Sequence, residues 1–541
     1  MDKVSQEINQ LLIDGSKKYY EYLDETGGGV IVFSIVRIER VFDEPGKKCL
    51  YKLKMGHKLK NTEALLVRIR EEIYLPTSIQ ILFWDETKND LMIQIISKEA
   101  KEELVGFENY DPRDVSIIVN LKYLVRRTGD WFERNDIVIP HEIKGVDSIY
   151  TAMNVSDCQA RVIDFCLNNP FTYVWGAPGT GKTKYVLTNA VINLFRLDRR
   201  VLVVAPTNNA IEQSLRCIIT QLDKEGISRS NIIRLGFPSK AFADEFPEAC
   251  EIRGISKTIN ALTKRKERLS EIAKYKTKRD KLQEILNIIK NGATGESAEY
   301  VTGITESLLV DLEKQNEEKK RMYAEYEDDD IESIQDEISK LDDEIEQYTP
   351  ELTAERVNSA KIIGCTIDGY IAQLISSARS RSIDHIFLDE AGYCSLAKGA
   401  TLFNKGVPIT FLGDHFQLPP VCEMSSDSIR SYRNQSVFVW DQSVLSLPDL
   451  VFDSIENAFE KYAKKLPPSF DNISKINLDQ TYRFGANLLR VLCQNIYHED
   501  LTSCAEREGV IIEVINARRS PMNGEKRTNV DEAEAIREYI R

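Results

Sequence analysis

The eight residues GAPGTGKT at 176–183 constrain this chain more than any others. An apolar, β-prone run, Phe171 to Trp175, precedes them, and Lys184 to Ile192 follows with apolar residues at helical spacing. Strand, glycine-rich turn and helix, in that order, is the context of a phosphate-binding loop. Gly176, Gly179, Thr180 and Gly181 form a turn whose N–H groups face one point, where the helix N-terminus adds partial positive charge. Lys182 then reaches β- and γ-phosphates, and Thr183 offers its hydroxyl to Mg²⁺. With glycine at roughly 7% of residues, a chance match at four fixed positions inside this context is rare. A nucleoside triphosphate, with Mg²⁺, is the expected ligand.

The rest of the composition sets bounds. A length of 541 residues suggests roughly three or four units of domain size. Apolar content of 42% beside 29% charged residues is that of a chain able to build a large core. The net charge of −14 gives no global signal for nucleic acid, although a basic channel can sit on an acidic protein. Ten cysteines without any C-x-x-C spacing read as reduced thiols, with no zinc site. Met1 to Leu23 lacks the apolar centre of a signal peptide, and no apolar run approaches the ~18 residues of a membrane span. A cytoplasmic protein, with no membrane partner, is expected.

Taken in order, residues 1–25 read as a helix with Val4, Ile8, Leu11 and Leu12 on one face. Residues 26–148 carry period-two and β-branched runs (Val30–Phe33, Cys49–Leu53, Ile79–Trp84 and Leu91–Ile96) and predict a small accessory β-barrel. From 149 the pattern alternates strand and helix, predicting an α/β fold with a parallel sheet covered on both faces. That rhythm runs over 149–254 and resumes over 351–450. Between them, 255–350 follows an approximate heptad through Leu262, Leu269, Ile272 and Leu286 and a stricter one from Ile331 to Tyr348, which predicts an inserted antiparallel coiled-coil hairpin. Residues 255–291 hold 11 Lys/Arg against 4 Asp/Glu, and 304–349 hold 5 against 17. Mutual neutralisation of the arms is the simplest explanation; a nucleic-acid grip on the basic arm is the sharper one. A strand at Ile476 then opens a further α/β unit within 451–541.

Two apolar strands end in chemistry. His385–Leu388 runs into Asp389-Glu390, and Pro408–Leu412 into Gly413 to Pro420. Adjacent acids at a strand end are commonly a solvated turn, but a phosphate loop upstream reverses that expectation. Asp389 would hold Mg²⁺ together with Thr183, and Glu390 would deprotonate the attacking water. Gln417 is placed to sense the γ-phosphate, Arg483 to add positive charge from a second domain, and Gln159 to read the adenine edge.

The ordered set Gln159, GAPGTGKT, APTNNA at 205–210, CTID at 365–368, DEAG at 389–392, GDHFQLPP at 413–420 and LDQTYRF at 478–484 resembles the superfamily 1B helicases, in the group of the nonsense-mediated-decay helicase and senataxin. Ile496 to Leu501 and Asn529 to Ala533 are similar to segments of that group's second motor domain. The resemblance implies two RecA-like domains, the second partial here, with ATP hydrolysis driving 5′-to-3′ movement along single-stranded DNA or RNA. It also implies strand contacts at Thr207, Asn208 and Thr366, and a base site formed by Gln159 and Tyr482. The group's cysteine-histidine zinc module is absent, and so are its last two motifs, so hydrolysis and unwinding are expected to be impaired. A nucleotide-gated binding switch without translocation is the alternative expectation, and a protein partner on the helical hairpin a third. The residues do not choose between DNA and RNA, nor name a pathway.

Overall fold

The computed structural model describes residues 3–42, 49–57, 59, 65–75, 78–85, 88–151, 153–236, 238–250, 255–292, 295–315, 326, 330–347, 356–374, 382–431, 433–505 and 537. Helix α1 (Lys3–Glu25) buries Ile8, Leu12, Tyr19 and Leu23, whose spacing puts them on one helical face. That face meets Val437 and Trp440 within the core of the α/β unit, with the Tyr19 and Trp440 rings 5.4 Å apart. Gly15 makes the close approach possible: a Cβ there would lie 2.4 Å from the Ser436 carbonyl oxygen.

Seven antiparallel strands follow: β1 (Val30–Phe42), β2 (Cys49–Met55), β3 (Leu65–Ile69), β4 (Glu72–Tyr74), β5 (Ile79–Asp85), β6 (Asp90–Ile95) and β7 (Val115–Asn120). Their order is β4-β3-β7-β1-β2-β6-β5. The long β1 pairs with β7 through its first half and with β2 through its second, with register shifts after Ile35 and Arg40. Such irregularities bend a strand, and the bent sheet closes on one apolar core that includes Phe33, Leu53, Val67, Ile93 and Ile117. The barrel-like body expected at 26–148 is therefore shorter, ending at Asn120. Asn120 caps the next helix, α2 (Leu121–Phe132), by accepting from the Tyr123 N–H at 3.1 Å. Leu124, Val125, Trp131 and Phe132 then bury in the core shared with α1, so Leu121–Val125 is the start of a helix on the α/β body.

That body is built on α3 (Asp157–Asn168), β8 (Phe171–Gly176), α4 (Thr188–Arg196), β9 (Val201–Ala205), α5 (Asn208–Lys224) and β10 (Ile232–Arg234). After an insertion, considered below, it continues with β11 (Ile362–Thr366), β12 (His385–Leu388), β13 (Ile409–Gly413) and β14 (Ser474–Leu478). All seven strands are parallel, in the order β10-β11-β9-β12-β13-β8-β14. The strands β8, β9, β11, β12 and β13 are buried along their whole length, as a sheet covered on both faces requires.

One expectation needs correction here. The strand at Ile476 was expected to open a new α/β unit, yet β14 pairs with β8 from Ser474↔Thr172 to Leu478↔Gly176. Leu450, Ala458 and Tyr462 likewise bury in the core of the first unit, which therefore extends past 450 to Leu478. A separate two-stranded parallel sheet, Gln480–Thr481 with Thr502–Ser503, follows, and Tyr497 between its strands also buries in the core of the first unit. Residues 529–533 lie outside the described residues.

Among the described residues, the insertion carries the helices α6 (Ile255–Gly292), α7 (Glu296–Gln315) and α8 (Ile331–Gln347). At 38 residues, α6 is about 57 Å long for a 1.5 Å rise per residue. Arg265 pairs with Glu337 at 2.5 Å, and Lys276 faces Asp330, so α8 runs antiparallel to α6. Leu269, Ile272, Ile334 and Leu341 form a small core of their own, and Lys290 pairs with Glu306 on α7 at 3.3 Å. Of the heptad, the side chains of Ile255, Ile259, Ile345 and Tyr348 lie outside the described residues. Near its start, α6 rests on the barrel, with Lys266 donating to the Val41 carbonyl at 2.9 Å.

Arg356 holds the two ends of the insertion together, donating to the carbonyls of Glu248 and Cys250, each at 2.6 Å. The insertion thus leaves and rejoins the sheet at one place and carries its own core. Replacing 255–349 by a short Gly/Ser linker is expected to leave ATP affinity unchanged, as read by titration with a fluorescent nucleotide, and to alter nucleic-acid or partner binding. Loss of nucleotide binding in a folded deletion variant would make these helices part of the site.

Candidate nucleotide-binding site

The loop after β8 takes a shape that its glycines permit. Gly179 and Gly181 have φ of +83° and +89°, in the left-handed region that side chains disfavour. Side chains crowd both positions: a Cβ on Gly179 would lie 2.3 Å from Arg483 Cβ, and one on Gly181 2.7 Å from Gln159 Nε2. Thr180 is buried and donates to the Ala177 carbonyl at 2.9 Å. Lys182 opens a π-helical turn, Lys182–Leu187, that leads into α4. Its Nζ donates to the carbonyls of Gly176 and Ala177. Burial pushes the Lys182 amine below its ordinary pKa, while the carboxylates of Glu390, Asp414 and Asp389 pull it back up. A buried ammonium with such neighbours suits an anionic ligand.

Asp389 and Glu390 follow β12. Asp389 is 1% exposed, and its Oδ2 accepts from Thr183 Oγ1 and from Ser214 Oγ, each at 2.8 Å. Its Oδ1 accepts the Glu390 N–H at 3.0 Å. A hydroxyl and a carboxylate held this close are hard oxygen donors of the kind Mg²⁺ takes, so Thr183 and Asp389 fit that ion. Glu390 adopts a left-handed φ of +52°, turning the chain from β12 into the following turn. Burial first, and the charge of Asp389 second, raise its carboxyl above the ordinary value, with Lys182 opposing.

These groups line a cleft of about 800 Å³, together with Gln417, Arg483, Thr207 and Asn209. The Gln417 amide donates to Asp414 Oδ2 at 3.1 Å. Arg483 is brought in through the loop itself: the Tyr482 N–H donates to the Gly179 carbonyl at 3.0 Å, and Thr481 Oγ1 to that of Pro178 at 2.9 Å. Tyr482 has an exposed side chain. Gln159 lies elsewhere. It is 3% exposed, completes a capping box with Ser156 at the start of α3, and donates to the Thr180 carbonyl at 3.2 Å. Its amide braces the loop.

The three residues expected to touch a strand lie at the C-terminal ends of β9 and β11, where ligands gather on parallel sheets. Thr207 caps α5, accepting from the Ala210 N–H at 3.2 Å. Asn208 accepts from Arg234, and Thr366 is buried and accepts from the Gly369 N–H at 3.0 Å. Thr207 and Asn208 also line a second cleft, of about 570 Å³, with Trp84 of the barrel-like body and Lys398. Of the three, Thr207 alone lines both clefts.

Two residues of the site were not anticipated. Asp414, at the end of β13, is buried and accepts from Trp175 Nε1, the Phe416 N–H and Gln417 Nε2, each at 3.1 Å. Its place mirrors that of Asp389 at the end of the adjacent β12, a signal the sequence did contain. Ser214 carries no local motif, and its contact with Asp389 spans 175 positions of chain.

The family described as an AAA domain matches residues 154–425, which include the phosphate loop, Asp389, Glu390 and Gln417. DNA polymerase alpha-associated DNA helicase A of Saccharomyces cerevisiae is 24% identical over 186 residues, covering 32% of this chain and 26% of that protein. The match thus spans about a quarter of the length of that curated relative. The structure of PRRSV helicase aligns over 88% of this chain and 50% of its own, with 11% identity and a TM-score of 0.25. Because the matched segment takes in half of the chain and the whole phosphate-loop sheet up to β13, the chain belongs to the AAA-domain family.

Proposed function

We propose that the chain is an ATP-driven helicase or translocase that moves 5′ to 3′ along single-stranded nucleic acid. The observation that carries this reading is the shared cleft. Lys182, Thr183, Asp389, Glu390, Gln417 and Arg483 line it together with Thr207 and Asn209. A group that follows the γ-phosphate is therefore continuous with the start of α5, where a strand would lie. The yeast relative, a DNA helicase by name, points the same way.

In this reading Lys182 and Arg483 offset the charge on the transferring phosphoryl group. Thr183 and Asp389 would hold Mg²⁺, which when bound supplies charge neutralisation and orients the phosphates. Glu390 accepts the proton of the attacking water, and Gln417 orients that water. Gln159 and Tyr482, which flank the loop at Gly181 and Gly179, would contact the base. Thr207, Asn208 and Thr366 would contact the strand, and the helices of 255–347 offer a surface to a protein partner.

The test is ATP turnover by the chain with and without single-stranded DNA or RNA of defined length. Either strand is expected to raise turnover severalfold, and the better of the two identifies the substrate class. Turnover unchanged by both would overturn the motor reading in favour of a nucleotide-gated binder.

A further inference from the structure

The Ser214 hydroxyl has one proton and two acceptors. Its oxygen lies 2.8 Å from Asp389 Oδ2 and 3.0 Å from the carbonyl oxygen of Ala210, one turn earlier on α5. A serine hydroxyl can donate only one such bond at a time. The side chain is fully buried, so water does not stand in for the partner left out. Ala210 is itself part of the capped first turn, because its N–H donates to Thr207 Oγ1. Thr207 and Asn209 face the cleft. A continuous path of bonded groups therefore runs from the start of α5 through Ala210 and Ser214 to the carboxylate that Thr183 also touches.

We propose that Ser214 is a positioning residue that couples the cleft-facing start of α5 to the metal-holding carboxylate of Asp389. With its proton on Asp389, the hydroxyl fixes the rotamer of that carboxylate. A shift of the first turn of α5 that brings the Ala210 carbonyl closer draws the proton away and loosens it. A strand lying on Thr207 and Asn209 would thereby change how Asp389 meets Mg²⁺. The inference rests on the motor reading above.

The test uses the whole chain and the Ser214→Ala variant, which removes the hydroxyl without adding bulk. Binding of a non-hydrolysable ATP analogue is followed by calorimetry while Mg²⁺ is varied, with and without a single-stranded oligonucleotide. Groups that orient a metal ligand typically contribute about 10–100-fold to metal affinity, so the Mg²⁺ needed for half-maximal binding is expected to rise about tenfold. The effect of the oligonucleotide on that Mg²⁺ requirement should be lost. Ser214→Cys keeps the shape with a weaker donor and should fall between the two. An unchanged Mg²⁺ requirement and an unchanged strand effect in a folded Ser214→Ala protein would overturn the proposal. If the parent chain itself shows no strand effect, the motor reading fails first, and the Mg²⁺ requirement alone then tests whether Ser214 positions Asp389.

Discussion

Replacing Lys182 by alanine is expected to lower ATP turnover by about 10²–10³-fold, the scale on which a donor aimed at developing charge contributes. The same change should leave the fold intact. The Lys182 ammonium is buried against the Gly176 and Ala177 carbonyls, and burial holds its pKa below the ordinary lysine value. A lysine whose folded pKa is depressed binds its proton less tightly in the folded state than in the unfolded one. The folded state therefore carries a cost that grows as the pH falls from the unfolded lysine value through the depressed folded one. Removing the amine removes this cost. Thermal unfolding of Lys182→Ala without nucleotide should show a midpoint equal to or above that of the parent. Mg·ATP, by contrast, should no longer raise the midpoint. A folded variant that turns over ATP near the parental rate would show that the lysine is not the phosphate ligand.

What could be read from the residues follows what is local in them. The phosphate loop depends on glycines and a lysine within eight positions, so its conformation and contacts are written in one stretch. The strand-end acids are nearly as local, because an apolar strand and the turn after it are contiguous. Pairing is not local. Ser474–Leu478 has the pattern of a half-buried edge strand, and nothing in that pattern says whether it joins β8 or starts another sheet. Leu121–Val125 fits a strand or a helix by its apolar run alone, and the Asn120 cap decides it. Ser214 was invisible for the same reason: its meaning depends on a carboxylate brought to it by the parallel pairing of β12 with β9.

Glu390→Gln is expected to slow hydrolysis by about 10²–10⁴-fold, the usual contribution of a positioned general base, while Mg·ATP still binds. The amide keeps the size of the side chain and the left-handed turn at this residue, but it cannot take a proton from water. Bound ATP should therefore persist, and a filter-binding or calorimetric measurement should show affinity within a few-fold of the parent. The nucleotide-free protein supplies an independent check with a definite sign. Burial, and the neighbouring charge of Asp389, raise the Glu390 carboxyl above its unfolded value. The folded state then holds that proton more tightly than the unfolded state, so stability falls as the pH rises from the unfolded pKa through the folded one. The parent carries a growing share of this cost as the pH rises above the ordinary carboxylate range, and the glutamine variant carries none. Metal-free Glu390→Gln should thus unfold at a higher temperature than the parent at neutral pH, and the difference should shrink as the pH is lowered past the ordinary carboxylate range. Hydrolysis at the parental rate would remove Glu390 from the role of base. A variant slow in hydrolysis but no more stable than the parent would leave the base in place and show that its ionised form is better accommodated in the cleft than burial alone implies.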